Sequence, residues 1–259
     1  MTVSEHPAIS VAVLHTPWKP ERVECLSEML KSIPTTPTRI IRDKMPEGMA
    51  WEEFKTIIAL DQWEWSAKQA GCTHHLFLTD DLHMAPDFWR ILRAMVTAKP
   101  NSIIGLLSNH PKAVELAGNG DVWYRCNSWV VGPAYVVPHE LLVGFLAWYK
   151  SLPDTNAPGC RRYLNDDSAI NEWNTYHGPR ESWHPLPTII EHRDDVASTV
   201  GHGDEFSCER VSWRATREVV RVGDAWEWVS KPALFDLEGM AHPPYWSRLA
   251  PMLTVGGVF

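Results

Sequence analysis

The stretch Leu76–Phe88, LFLTDDLHMAPDF, decides the fold. The apolar run His74–Thr79 is the length and composition of a buried strand, and it delivers two consecutive carboxylates, Asp80 and Asp81, to its C-terminal end. That end is where open α/β sheets bind ligands. Adjacent carboxylates repel unless a cation or a pKa shift relieves them. A hard divalent ion would do so and would in turn hold a pyrophosphate. Asp81-Leu82-His83 offers oxygen and imidazole from one turn, a mixed set that leans toward Mn²⁺ over Ca²⁺. The plainer alternative is that both aspartates cap a helix opening near Pro86.

Outward from this stretch, strands alternate with helices. Ala8–Leu14 is a β-branched apolar run broken by His15-Thr16-Pro17, and a helix over about Pro20–Lys31 places Val23, Leu26, Met29 and Leu30 on one face. Arg39–Arg42 is a short strand. Trp51–Ala70 is a helix with Phe54, Ile57, Ile58 and Trp65 as its apolar face and Gly71 at its C-terminal stop. After the carboxylates, a helix opened by Pro86 carries Phe88, Ile91, Leu92, Met95 and Val96. Strands over Ser102–Leu107 and Trp129–Val137, a helix over Pro138–Lys150, a loop over Pro153–Arg162, a helix from Asp167 with Ile170, Trp173 and Tyr176, and a strand over Pro187–Glu191 complete the pattern. Such alternation predicts a mostly parallel sheet covered on both faces, an α/β domain over residues 1–203. Beyond Gly203, apolar and polar residues alternate, which predicts a small β-rich appendage over 204–259.

Bulk properties narrow the function classes. A chain of 259 residues with 44% hydrophobic and 22% charged residues has the balance of a globular protein. No stretch is apolar for the ~18 residues of a membrane span, and Met1–Ser10 lacks a signal-peptide pattern, so a cytoplasmic protein with no membrane partner is expected, in host cytoplasm if the gene is a phage's. Cys25, Cys72, Cys126, Cys160 and Cys208 are scattered and odd in number, as for reduced thiols. A net charge of -8 opposes broad nucleic-acid wrapping. Fourteen tryptophans exceed the needs of a core this size, and some can serve as ligand platforms. Phosphate-binding GxxxxGK[ST], GxGxxG, HExxH and GxSxG motifs are all absent, which removes the main support for kinase, dehydrogenase, zincin and serine-hydrolase readings.

TDDLHMAPDFW resembles the segment at which glycosyltransferases of the GT-A type place their DxD-type motif, and SVAVLHTPWKPERVECLSEML resembles their first nucleotide-binding unit. The resemblance covers roughly Ala8–Gly203. It implies a GT-A (Rossmann-like) fold and a metal-dependent hexosyltransferase-type enzyme. Such an enzyme moves a sugar from a nucleotide-sugar, most often a UDP-sugar, to a hydroxyl acceptor. It also implies that His15, Thr16 and Arg22 contact the nucleotide, that Asp80 contacts the donor ribose or sugar, and that Asp81 and His83 bind Mn²⁺ or Mg²⁺. Asn165-Asp166-Asp167, about 85 residues on, heads an amphipathic helix. By the same resemblance Asp167, with Asp166 second, is the general base that deprotonates the acceptor. A helix N-cap is the alternative. PTIIEHRDDVASTVGHG, Pro187–Gly203, resembles the late segment that returns a metal- or phosphate-binding histidine, His192 first and His202 second.

Two other classes compete: a nucleotidyltransferase, disfavoured because LHTPWKPER has no glycine to cradle a triphosphate, and a non-catalytic sugar- or nucleotide-binding module. Asp121–Gly132 offers Trp123, Tyr124 and Trp129 to the acceptor side, although packing explains them equally well. Candidate acceptors are a glycan, a small molecule, a protein, or a hydroxymethylated base in DNA. Compact phage enzymes that sugar-coat modified DNA have a similar size and layout, and Arg210, Arg214, Arg217 and Arg221 would then meet phosphates; a solvated strand face is the plainer account of that cluster.

Overall fold

The computed structural model describes residues 7–42, 44–108, 112–113, 116, 121–126, 130, 132–164 and 167–193, together with the strands at 217–222 and 225–230. The elements run β1 (Ile9–His15), α1 (Pro20–Leu30), β2 (Thr38–Arg42), α2 (Trp51–Ala67), β3 (His74–Thr79), β4 (Leu82–Met84), α3 (Phe88–Ala98), β5 (Ile103–Gly105), β6 (Trp123–Cys126), β7 (Ala134–Pro138), α4 (His139–Ser151), α5 (Asp167–Tyr176), β8 (Ser182–Pro185) and β9 (Ile190–His192). A hairpin, β10 (Arg217–Val222) and β11 (Ala225–Ser230), lies in the region expected to be β-rich. Most of 204–259 lies outside the described residues.

Seven strands form one sheet in the order β2-β1-β3-β7-β5-β8-β6. β2, β1, β3, β5 and β8 run one way, and β7 and β6 run against them. This is the mixed, mostly parallel α/β sheet expected from the sequence. Period-two alternation divides the core between its faces. Val11, Val13, Leu76, Leu78 and Val136 pack with Leu26, Met29 and the Phe88, Ile91, Leu92, Met95, Val96 stripe, on the side of α1 and α3. Ala12, Phe77, Tyr135 and Val137 pack with Phe54, Ile58, Trp63, Phe145 and Trp173, on the side of α2, α4 and α5. Trp63 is fully buried because its indole N–H donates to the Tyr135 hydroxyl at 3.0 Å.

Several helices are rotated from the faces read off the sequence. α1 buries Arg22, Cys25, Leu26 and Met29, while Val23 is 46% exposed. α2 buries Trp63 and exposes Ile57, and it ends at Ala67, so Gly71 does not stop it. Tyr176 of α5 is exposed. α3 begins at Phe88 with Asp87 as its cap residue, and β4 intervenes after the aspartates, so neither Asp80 nor Asp81 caps it. β7 begins at Ala134, five residues later than expected; Trp129 lies outside the described residues. The short strands β4, β6 and β8 were not anticipated, having too few residues for a periodic signal.

At the sheet edge away from the carboxylates, His75 is buried between the Ser10 hydroxyl (2.7 Å) and His139 Nδ1 (2.9 Å). Burial, then the neighbouring His139 and His74, push its pKa down to about 3. An unfolded histidine titrates near 6.5, so the stability that comes from keeping His75 neutral is complete above that pH and is lost as pH falls toward 3. Denaturant unfolding should therefore lose up to about 3 kcal/mol between pH 7 and pH 4, and His75→Gln should remove most of that slope.

Candidate functional site

The parallel strands β1 and β3 end side by side, with Leu14 opposite Thr79. The next residues, His15-Thr16 on one side and Asp80-Asp81 on the other, therefore meet at one sheet edge. Asp80 Oδ2 accepts from His15 Nδ1 at 2.6 Å and from the Thr16 backbone N–H at 2.8 Å. Its Oδ1 accepts from Arg22 Nη1 at 2.7 Å. The same Nη1 lies 2.6 Å from Asp81 Oδ2, so one guanidinium nitrogen bridges the two carboxylates. Asp81 Oδ2 also pairs with His192 Nε2 at 2.8 Å, and Oδ1 accepts from the Thr79 hydroxyl at 2.5 Å. All these groups except His192 and Thr79 are buried, with Arg22 2%, Asp80 1% and Asp81 4% exposed.

Local structure explains each position. Pro20 at the first turn sets the start of α1, and the Arg22 N–H donates to Lys19 O at 3.0 Å, which fixes the helix phase that points Arg22 inward. His192 returns because β9, following β8, pairs antiparallel with β4 and sets His192 opposite Leu82. Arg193 follows, its N–H donating to Asp81 O at 2.8 Å and its guanidinium reaching Glu28 of α1.

Electrostatically, burial would raise the Asp81 pKa. The His192 hydrogen bond and charge, then the Arg22 charge and the Thr79 hydroxyl, outweigh it and hold the carboxyl far below the usual range. This group therefore stabilises the fold above the ordinary carboxylate pKa of ~3.9, and the contribution is lost only as pH falls below it.

Asp167 approaches the same edge by a different route. Its Oδ2 accepts from Gly132 N–H at 3.0 Å, and the adjoining Pro133 O accepts from Thr79 N–H at 2.9 Å. One turn thus connects the head of α5 to the end of β3. Burial raises the Asp167 pKa, against the opposing pull of Gly132 N–H, Lys55 and the first N–H groups of α5. A bond to a residue 35 positions away goes beyond an ordinary local cap.

His15, Thr16, Arg22 and Asp80, expected from the sequence to contact the nucleotide, are thus one hydrogen-bonded unit, and Asp81 and His192 join it. His83 sits on β4 opposite Glu191. Among the described residues, no three His, Cys, Asp or Glu side chains are arranged to hold a metal ion. Each of the four carboxylate oxygens of Asp80 and Asp81 already has a donor from the chain, and the cation between them is Arg22. As arranged, these residues do not fit a divalent ion. Asp166, Trp129, His202, Arg210 and Arg214 lie outside the described residues. Trp123 packs beside Trp183, whose ring carries Lys99 Nζ at 3.4 Å, and Tyr124 is buried near His184, so both act in packing. Sequence reasoning did not single out Trp18, which stands 48% exposed two residues after Thr16. A large apolar side chain in the turn after a strand's C-terminal end was the available signal.

No family model and no curated protein sequence matches the chain. Among solved structures it is similar to a glycosyltransferase involved in the glycosylation of the major capsid of PBCV-1, at 12% identity and a TM-score of 0.32, over 66% of this chain and 76% of that one. It is also similar to A197 from STIV, at 11% identity and a TM-score of 0.38, over 75% of this chain and 98% of that one. Similarity at this level carries no argument about chemistry, so function is read from the side chains. Among the described residues no helix is long and apolar enough to cross a membrane, and none of Cys25, Cys72, Cys126 and Cys160 is in a disulfide.

Removing one partner of a buried charge network leaves the others uncompensated. Arg22→Met should destabilise the protein by about 3–5 kcal/mol in denaturant unfolding, whereas Val23→Ala, on the exposed side of α1, should change it by less than about 0.5 kcal/mol.

Proposed function

We propose that the protein is a glycosyltransferase that uses a nucleotide-sugar donor and a hydroxyl acceptor. The observation that supports this most is the convergence, on one sheet edge, of a neutralised carboxylate node and a second, separate carboxylate whose pKa is raised. Transfer needs two things at such an edge: a charged node that orients the donor diphosphate, and a base for the acceptor proton.

In this reading Asp167 accepts the proton of the acceptor hydroxyl as its oxygen attacks the anomeric carbon. The bond from that carbon to the diphosphate oxygen breaks, and the nucleoside diphosphate leaves. A carboxylate raised above its ordinary pKa is a better base than an exposed one, provided the pH stays above that value. His192, anchored on Asp81 and 21% exposed at the side chain, faces the leaving diphosphate. Trp18 stacks on the base. Asp80 is committed to His15, Thr16 and Arg22, so it holds the walls of the donor site in place.

The donor nucleotide, UDP by resemblance, and the acceptor are tested together. The full chain is incubated with UDP-, GDP-, TDP- and CMP-sugars, in EDTA and with Mn²⁺ or Mg²⁺, and nucleotide release is followed with glycan and hydroxymethylated DNA acceptors. One donor should be turned over, with Asp167→Asn lowering kcat by about 10²–10⁴-fold and the wild-type rate falling on the acid side as Asp167 takes up its proton. A DNA acceptor would show a steep loss of rate with salt. Binding of a nucleotide with no release from any sugar, unaltered in Asp167→Asn, would favour the non-catalytic module. Trp18→Ala should weaken nucleotide binding by about 1–3 kcal/mol, read from titration of intrinsic fluorescence.

A further inference from the structure

We infer that Arg22 is the resident cation of the Asp80–Asp81 pair and keeps divalent metal ions out of it. Two adjacent buried carboxylates need a positive charge, and a metal ion or a basic side chain can supply it. Here Arg22 Nη1 sits 2.7 Å from Asp80 and 2.6 Å from Asp81, between the two carboxylates. The remaining oxygens are taken by His15, Thr16 and Thr79, and His192 shares Asp81 Oδ2 with the guanidinium.

The placement of Arg22 is built into the chain. Arg22, Cys25, Leu26 and Met29 form the buried stripe of α1, so an arginine occupies a position that the helix period would give to an apolar residue. Its Nε–H is buried without an acceptor, a cost that persists only because the Nη1 contacts outweigh it. A divalent ion could enter only by expelling the guanidinium from a site where the whole residue is 2% exposed.

The inference concerns the carboxylates alone and stands or falls whether or not the protein transfers sugar. Its test is direct Mn²⁺ binding by electron paramagnetic resonance, on the full-length wild type, Arg22→Met, Arg22→Lys and Asp81→Asn. The wild type and Arg22→Lys should show no Mn²⁺ site that depends on Asp81. Arg22→Met, with the shared guanidinium gone from between the two carboxylates, should bind Mn²⁺ at least about tenfold more tightly than the wild type. Its melting temperature should rise with Mn²⁺ while that of the wild type does not. A wild-type Mn²⁺ site that disappears in Asp81→Asn would overturn the inference, as would an Arg22→Met protein that binds no better than wild type. If Arg22→Met does not fold, the comparison of wild type with Asp81→Asn still decides.

Discussion

The contact on which the rest of this structure depends is the single guanidinium nitrogen shared by Asp80 and Asp81. Without it, two carboxylates would be buried side by side at the end of a strand, each needing several kcal/mol of compensation. With it, four chain segments become tied at one point. Arg22 brings α1, His15 and Thr16 bring the end of β1, Thr79 and the aspartates bring β3, and His192 brings β9. The sheet supplies the edge and the charges fix what stands on it.

This constraint also explains why α1 departs from its simplest reading. By hydrophobicity alone Val23 belongs inside. The carboxylates override that preference, because leaving them unpaired costs more than exposing one valine, whose full burial is worth about 1.5–3 kcal/mol. The helix accordingly turns by about one residue, and the arginine takes the inner position.

The general architecture was legible because long periodic segments carry it. The stripe of α3 and the apolar runs of β1 and β3 each state their own partner face. The meeting of His15 and Thr16 with Asp80 and Asp81 was legible for a related reason: parallel neighbours put their C-terminal residues at a common edge, whereas His192 was singled out only by resemblance and arrives by antiparallel pairing of β9 with β4. What was not legible depends on contacts between segments. β4, β6 and β8 have three or four residues each, held by pairing partners more than a hundred residues away for β4 and about sixty for β6. Trp63 is internal because Tyr135 accepts its N–H, and no local pattern shows that. Arg22 was legible as a neighbour of the turn after β1 but not as the partner of both aspartates, because that pairing depends on the phase of α1 against β3.

The most direct test of this account is a double-mutant cycle between Arg22 and Asp81, measured by equilibrium unfolding at neutral pH and moderate salt. If the shared guanidinium is what makes the carboxylate pair tolerable, Arg22→Met and Asp81→Asn should couple strongly. The double variant should then be more stable than the sum of the single losses by about 1–3 kcal/mol. Additivity within about 0.5 kcal/mol would mean that Arg22 and Asp81 stabilise the fold independently, and would contradict the account.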